Sequence, residues 1–280
     1  MACNISHRIE PIPEALKTCK AIMKVFNFIC GKGGEVEVSE LTSPPSPLQG
    51  LSSICLDMWL KWRNKEAENN ENFVFVYWNG NRSVRVILKT YLCVSYEQGF
   101  CKSGNSCTRW HICKGFLEGS CTGTHCDKSH DFLDKDNRHK AECLKVDRLP
   151  NVVIKKLVLK SLPSLCESYI RGEICHDCLS VHLCPAFLAG ECVSQHLHKS
   201  KNWYFAHNIK SFKNTFVYNT FQFPSKLTIN QIKCNLIVPL ELQGKKCPGE
   251  MSEEASATTD TESIKSKKSG DLTSSKVNQQ

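Results

Sequence analysis

The sequence predicts a small α+β chain: a winged-helix-like N-terminal domain, then tandem CCCH modules (three cysteines and one histidine each) with a helical insert, then a disordered C-terminal tail. Three observations carry that reading. Two stretches of helical period precede a β-hairpin pattern within the first 92 residues. Cysteines and histidines recur at matched spacings between 93 and 207. Beyond 249 the chain is rich in Ser, Thr, Lys and Glu and lacks aromatics, so it cannot offset its ordering entropy. The expected sections are 1–92 (winged-helix-like), 93–130 (modules 1 and 2), 131–165 (helical connector), 166–207 (module 3 and a degenerate module 4), 208–248 (basic, structure unassigned) and 249–280 (tail).

In the first section a helix is expected over 12–29, stopped by Gly31, Gly33 and Gly34. Pro44, Pro45 and Pro47 mark a loop. Ser52 is a candidate N-cap for a second helix, in which Cys55, Met58, Trp59 and Trp62 keep the helical period. Residues 73–77 and 84–88 flank Asn79-Gly80-Asn81, a hairpin signature. Arg82, Arg85 and Lys89 read as charges keeping an exposed strand edge soluble, with an RNA contact as the alternative.

Eighteen cysteines in 280 residues set the chemistry. The run 21–30 is broken by Lys24 and Asn27 and no small-residue cleavage site follows, so a cytoplasmic or nuclear location is expected. In a reducing compartment such cysteine usage points to metal ligands, not disulfides. An internal repeat sharpens this: 93–121 and 166–192 share Cys, Ser-Tyr, Gly, Cys, Cys, His-x-Cys, Phe-Leu, Gly and Cys in the same order. Between the copies, 135–146 and 152–162 read as helices, with Ile154, Leu157, Val158 and Leu162 on one face of the second.

Cys93-x7-Cys101-x5-Cys107-x3-His111 and Cys113-x7-Cys121-x4-Cys126-x3-His130 are two complete Cys₃His sets, a closed tetrahedral donor set for structural zinc. Modules this small bury almost no core, so their folding is coupled to metal binding. Cys166-x8-Cys175-x2-Cys178-x3-His182 is a third set, with His176 as an alternative ligand. In the fourth, Cys184-x7-Cys192 matches, but Leu197-His198-Lys199-Ser200-Lys201 stands where the second set has Cys126 to His130. His196, His198 or His207 are candidate replacements; a metal-free remnant held by packing is the expectation, giving three zinc ions in all.

Paired Cys₃His sets joined through His-x-Cys, a helical insert and a second pair, together with the segments HICKGFLEGSC (111–121) and KSHDF (128–132), resemble the zinc-finger antiviral proteins and their mono-ADP-ribosyltransferase relatives from about residue 18 to 207. The resemblance implies zinc-dependent binding of single-stranded RNA, viral RNA included, and recruitment of antiviral or RNA-decay cofactor proteins, with no membrane partner. The family's catalytic and WWE domains find no counterpart here, so the chain is not expected to be an enzyme. In the family, base-selective contacts are attributed to the second finger: a basic residue after its first cysteine, an aromatic after its second, and a basic-aromatic pair before its histidine. Lys114 matches the first; Gly123 and Asp127-Lys128 do not match the others, so weaker CpG discrimination is expected.

The net charge of +8 is modest for a duplex binder but sufficient for single strands, where stacking on aromatic faces supplies about 1–3 kcal/mol per base. Tyr96, Phe100, Trp110 and Phe116, interleaved with Lys102, Arg109 and Lys114, suit unstacked bases. With Lys89 and Lys128 added, Lys89, Tyr96, Lys102, Arg109, Trp110, Lys114 and Lys128 are the candidate RNA contacts; Phe116 reads as core. The alternative readings are a zinc-organised protein-interaction module, or a regulatory homologue of an ADP-ribosyltransferase, neither binding RNA. Cys143 and Cys234 have no sequence-adjacent His and acid and do not restore an enzyme reading.

Overall fold

The structure, a computed structural model, describes residues 12–66, 72–78, 82–123, 125–175, 178–190, 192, 198–200, 203–223 and 228–239, side chains at 78, 198–200 and 203–205 excepted. The expected tail lies outside them. The first unit runs α1 (Cys19–Gly31), β1 (Glu35–Glu37), α2 (Val38–Thr42), α3 (Ser53–Glu66), β2 (Phe73–Trp78) and β3 (Ser83–Leu88). The expected first helix is split: a 3₁₀ turn at Glu14–Lys17 ends at extended Thr18, whose hydroxyl then caps α1 by accepting the Ala21 N–H at 3.2 Å. Ile22, Val25, Phe26 and Ile29 form its buried face.

Ser52 caps α3 as expected, accepting the Cys55 N–H at 3.2 Å, but the buried face is Leu56, Trp59, Leu60 and Arg63. Cys55, Met58 and Trp62 are only half-buried, because the sheet meets α3 on the flank next to the expected one. The sheet order is β1-β3-β2, all antiparallel. The short β1 was not legible in the sequence, and it makes β3 the central strand. Arg85 is therefore not an edge charge: it pairs with Glu35 at 3.0 Å, and Lys160 reaches the same carboxylate at 3.0 Å.

The remaining elements are α4 (Val94–Glu97), α5 (Lys114–Glu118), α6 (Arg138–Cys143), α7 (Asn151–Ser161), α8 (Glu167–Ile170), α9 (Pro185–Ala189), β4 (His198–Ser200), β5 (Trp203–Phe205), α10 (Phe212–Thr220) and α11 (Ile229–Asn235). The connector helix α7 lies against the N-terminal sheet. Ile154, Leu157 and Val158 are buried, Ser161 Oγ accepts the Leu88 N–H at 2.8 Å, and Gly34, at φ +90°, leaves room for Leu157, which a Cβ would meet at 2.6 Å. The section left unassigned in the sequence is described at 208–223 and 228–239, where it supplies α10 and α11. Ile237 pairs with Pro163 and Leu165 backbone, and Asn235 Oδ1 accepts the Leu92 N–H at 2.5 Å. One apolar core runs from Ile22 to Ile237. No helix among the described residues is long and apolar enough to cross a membrane.

Candidate metal centres and the adjoining surface

Each finger is built on one local rule. The first cysteine, Cys93, Cys113, Cys166 or Cys184, N-caps a short helix (α4, α5, α8, α9), its Sγ accepting the N–H three residues on at 3.4 Å. The residue donating that N–H is aromatic, and its ring stacks on the finger's histidine. Tyr96 lies on His111 (4.5 Å), Phe116 on His130 (4.4 Å), Tyr169 on His182 (4.5 Å) and Phe187 on His207 (4.6 Å), all within 16° of parallel. The stack fixes the imidazole plane, and the amide bond steadies the sulfur as a thiolate.

The donor atoms gather accordingly. Cys93, Cys101, Cys107 and His111; Cys113, Cys121, Cys126 and His130; and Cys166, Cys175, Cys178 and His182 each place all their ligand atoms within 4.8 Å of one another. A zinc tetrahedron with bonds of about 2.3 Å to sulfur and about 2.0 Å to nitrogen has edges of about 3.5–3.8 Å. Cys93 and Cys107 sulfurs are 3.7 Å apart, Cys166 and Cys175 3.5 Å, and His130 Nε2 is 3.6 Å from Cys121 Sγ. His111 Nε2 is buried without a hydrogen-bond partner, as a nitrogen reserved for a metal is. Burial pushes the Cys93 thiol up to about 12 and the Cys113 thiol up to about 11, while hydrogen bonds from Cys166 and His182 hold Cys178 down to about 3. Buried thiols of this kind need a cation to ionise together, so the donor sets fit a divalent metal.

The fourth set departs from expectation. Cys184 and Cys192 are joined by His207, with Cys192 Sγ 3.5 Å from His207 Nε2. His196, Leu197 and Lys201 lie outside the described residues, as does His176 of the third set; His198 contributes the backbone of β4. His207, one of the three candidate replacements, stands later than its counterpart because the loop from Cys192 to His207 holds 14 residues where that from Cys121 to His130 holds 8, the excess accommodating the β4–β5 hairpin.

Backbone bonding confirms the equivalence. Cys113 donates to Ser129 O (3.0 Å) and Cys184 to Ala206 O (3.1 Å), while Ser129 N–H donates to the Tyr96 hydroxyl and Ala206 N–H to that of Tyr169. Seven residues beyond each of these histidines stands a buried asparagine that brackets the backbone of the histidine one finger earlier. Asn137 accepts from His111 N–H (2.9 Å) and donates to His111 O (3.0 Å); Asn214 does the same to His182 (2.9 and 3.2 Å). The repeat thus extends past the fingers into α6 and α10, ending at the left-handed residues Lys145 and Gln222. The offset His130–Asn137 against His207–Asn214 was visible in the sequence.

Among known proteins, human protein mono-ADP-ribosyltransferase PARP12 is 26% identical over 190 residues, covering 60% of this chain and 26% of its own. The mouse protein of the same name is 24% identical over 194 residues (61% and 27%), and human zinc finger CCCH-type antiviral protein 1-like is 26% identical over 134 residues (42% and 44%). The chain is a homologue of these CCCH zinc-finger proteins. It spans about a quarter of the length of the PARP12 proteins and under half of the antiviral-protein-like relative. No protein-family model matches the chain.

Of the residues picked as RNA contacts on this homologue, several are engaged within the fold. Trp110 is 0% exposed, edge-on to Phe132, with Lys140 Nζ 5.2 Å from its ring, so it has no face to offer a base. Tyr96 holds His111 and Ser129. Lys114 donates to Lys233 O at 2.8 Å and lies 3.6 Å from Glu118, and Lys128 pairs with Glu97 at 2.8 Å. Lys89 and Arg109 are half-exposed, Lys102 is exposed, and Phe100 beside it is 58% exposed. Phe116, read as core, is half-buried between His130 and Lys155, whose Nζ lies 3.9 Å from the ring centroid. Lys140, 6% exposed and next to the first cluster's thiols, sits where a Zn(Cys)₃(His) set carries its net negative charge.

Proposed function

We propose that this chain is a zinc-dependent single-stranded RNA-binding protein acting in antiviral defence or RNA decay, working in a reducing cytoplasmic or nuclear compartment and handing bound RNA to cofactor proteins. The observation that carries the reading is the set of four Cys/His clusters built on one rule, in a homologue of a CCCH antiviral-type protein. The shared construction supports zinc in all four, the fourth held by three protein donors, Cys184, Cys192 and His207. Phe100, Lys102 and Arg109 on the first finger supply a ring and cations toward solvent. The N-terminal order helix, strand, helix, helix, strand, strand fits the winged-helix-like reading of 1–92.

Titration of a fluorescent single-stranded RNA at several salt concentrations tests it. An RNA binder loses affinity log-linearly with salt, and Cys113→Ala, which dismantles the second finger, removes most of the binding. No binding at low salt would leave the protein-interaction module as the reading, for which the internal pairing of Lys114 and Lys128 already argues.

A further inference from the structure

We infer that α10 carries a second contact surface for single-stranded nucleic acid, made by the rings of Phe212 and Phe216. The inference rests on the RNA-binding reading above. The two rings stand four residues apart on one face of a helix, 92% and 53% exposed. The opposite face is committed to the fold: Asn214, Val217 and Tyr218 are buried, and Asn214 brackets His182.

The internal duplication shows whether the scaffold needs those rings. In the first copy Asp134 takes the place of Ser211: each side chain accepts the N–H of the bracketing asparagine, and each carbonyl accepts the N–H one residue further on. In that register Phe212 and Phe216 correspond to Lys135 and His139, both exposed. The same architecture is therefore satisfied by polar residues at both places, and the aromatic pair answers to something outside the fold.

Charge changes in step. Residues 131–144 carry three basic and four acidic groups, whereas 208–221 carry no acid and two lysines, Lys210 exposed and Lys213 turned inward onto the Cys178 carbonyl. Asp131, Asp134, Asp136 and Glu142 are replaced by Asn208, Ser211, Lys213 and Asn219. From Cys192 to Leu240 the chain holds six lysines and no Asp or Glu. A phosphate backbone is repelled by the first copy's helix and attracted to the second's.

The ring neighbourhood selects unpaired bases over a protein groove. A helix that docks into a groove presents apolar anchors at i, i+3, i+4 and i+7. Here i+3 and i+7 from Phe212 are Thr215 and Asn219, both exposed, so the rings stand among hydrogen-bonding groups. Bases stack on such rings without sequence preference while amides and hydroxyls meet their edges.

The test uses the whole chain with zinc bound. Affinity for a labelled 20-nucleotide single-stranded RNA is measured at fixed salt for wild type, Phe212→Ala/Phe216→Ala and Phe212→Tyr/Phe216→Tyr, with zinc content checked by native mass spectrometry. The alanine pair is expected to bind at least tenfold more weakly, the tyrosine pair within twofold of wild type, and the salt slope to be unchanged, because rings neutralise no phosphate. Photocross-linking of 4-thiouridine RNA to the unmutated protein is expected to label residues 211–226. Wild-type binding with an alanine pair within twofold of it would overturn this surface and leave the RNA reading standing, as would equal loss in both pairs. Absence of binding by wild type would overturn the RNA reading itself.

Discussion

At the scale of the residue, a single cysteine spacing does three jobs in every finger: Cys-x2-Tyr or Cys-x2-Phe caps a helix, shapes a thiolate and lays a ring on the metal-binding imidazole. The spacing was in the sequence at all four places, yet the aromatics read as RNA platforms or generic core, because a stack between residues 13–20 positions apart has no local signature. His207 shows the cost of that omission. One of three candidates in a set expected to be metal-free, it sits on Phe187 and against Cys192. His207→Ala is expected to lower the zinc count by native mass spectrometry from four to three and to destabilise the module by on the order of 3 kcal/mol; an unchanged count would remove His207 from the metal site. Gly123 makes the opposite point. The family resemblance puts an aromatic at this place, but Gly123 has φ +93°, and a Cβ would lie 2.9 Å from His130 Nδ1. Gly123→Tyr is therefore expected to weaken zinc retention in the second finger, read as faster metal release to a chelator, with no gain in CpG preference.

Among the elements, the helices with a clean apolar period were legible, and those that depend on partners were not. The face of α7 reads correctly from Ile154, Leu157 and Val158; Leu162, also buried, lies just past the helix end in an extended conformation. The three-residue β1 is too short to show alternation, and without it β3 looked like an edge and Arg85 like a solvated charge. The β4–β5 hairpin, inserted inside a finger, likewise shifted the alignment of everything after Cys192. Glu35 on β1 is where sheet and connector helix are tied, receiving Ser83 Oγ at 2.8 Å together with Arg85 and Lys160. Partial burial pushes its carboxyl upward, but Arg85, Ser83 and Lys160 outweigh this and hold it below its ordinary value. A depressed carboxylate stabilises the fold above its unfolded-state pKa and loses that contribution as the pH falls through its folded-state pKa. Glu35→Gln is expected to cost about 1–3 kcal/mol at neutral pH in a denaturant titration, with the gap to wild type closing on acidification. A gap that persists in acid would mean the tie works through shape, not charge.

For the whole molecule, two kinds of stabilisation meet in one core. The N-terminal unit buries Phe26, Trp59 and Phe75 and needs no ion, whereas the fingers add Trp110, Ile112, Leu117, Val181 and Leu183 to the same core and leave their cysteine loops to be held by the ligands. Chelation under reducing conditions, followed by hydrogen exchange, is expected to strip protection from 93–130 and 166–223 while 19–31 and 73–88 keep theirs. Uniform loss would make the chain a single cooperative unit. The bond between Asn235 and Leu92 spans 143 positions, and it sets an order of events on the ribosome. At about 5–20 residues per second, Leu92 is made roughly 7–30 s before the side chain that secures it. Residues 93–130 are made within that interval, so metal capture by the first two clusters would precede closure. A nascent chain stalled ahead of Asn235 would lack the side chain that secures Leu92, leaving the backbone that leads into the first cluster unfastened until translation resumes.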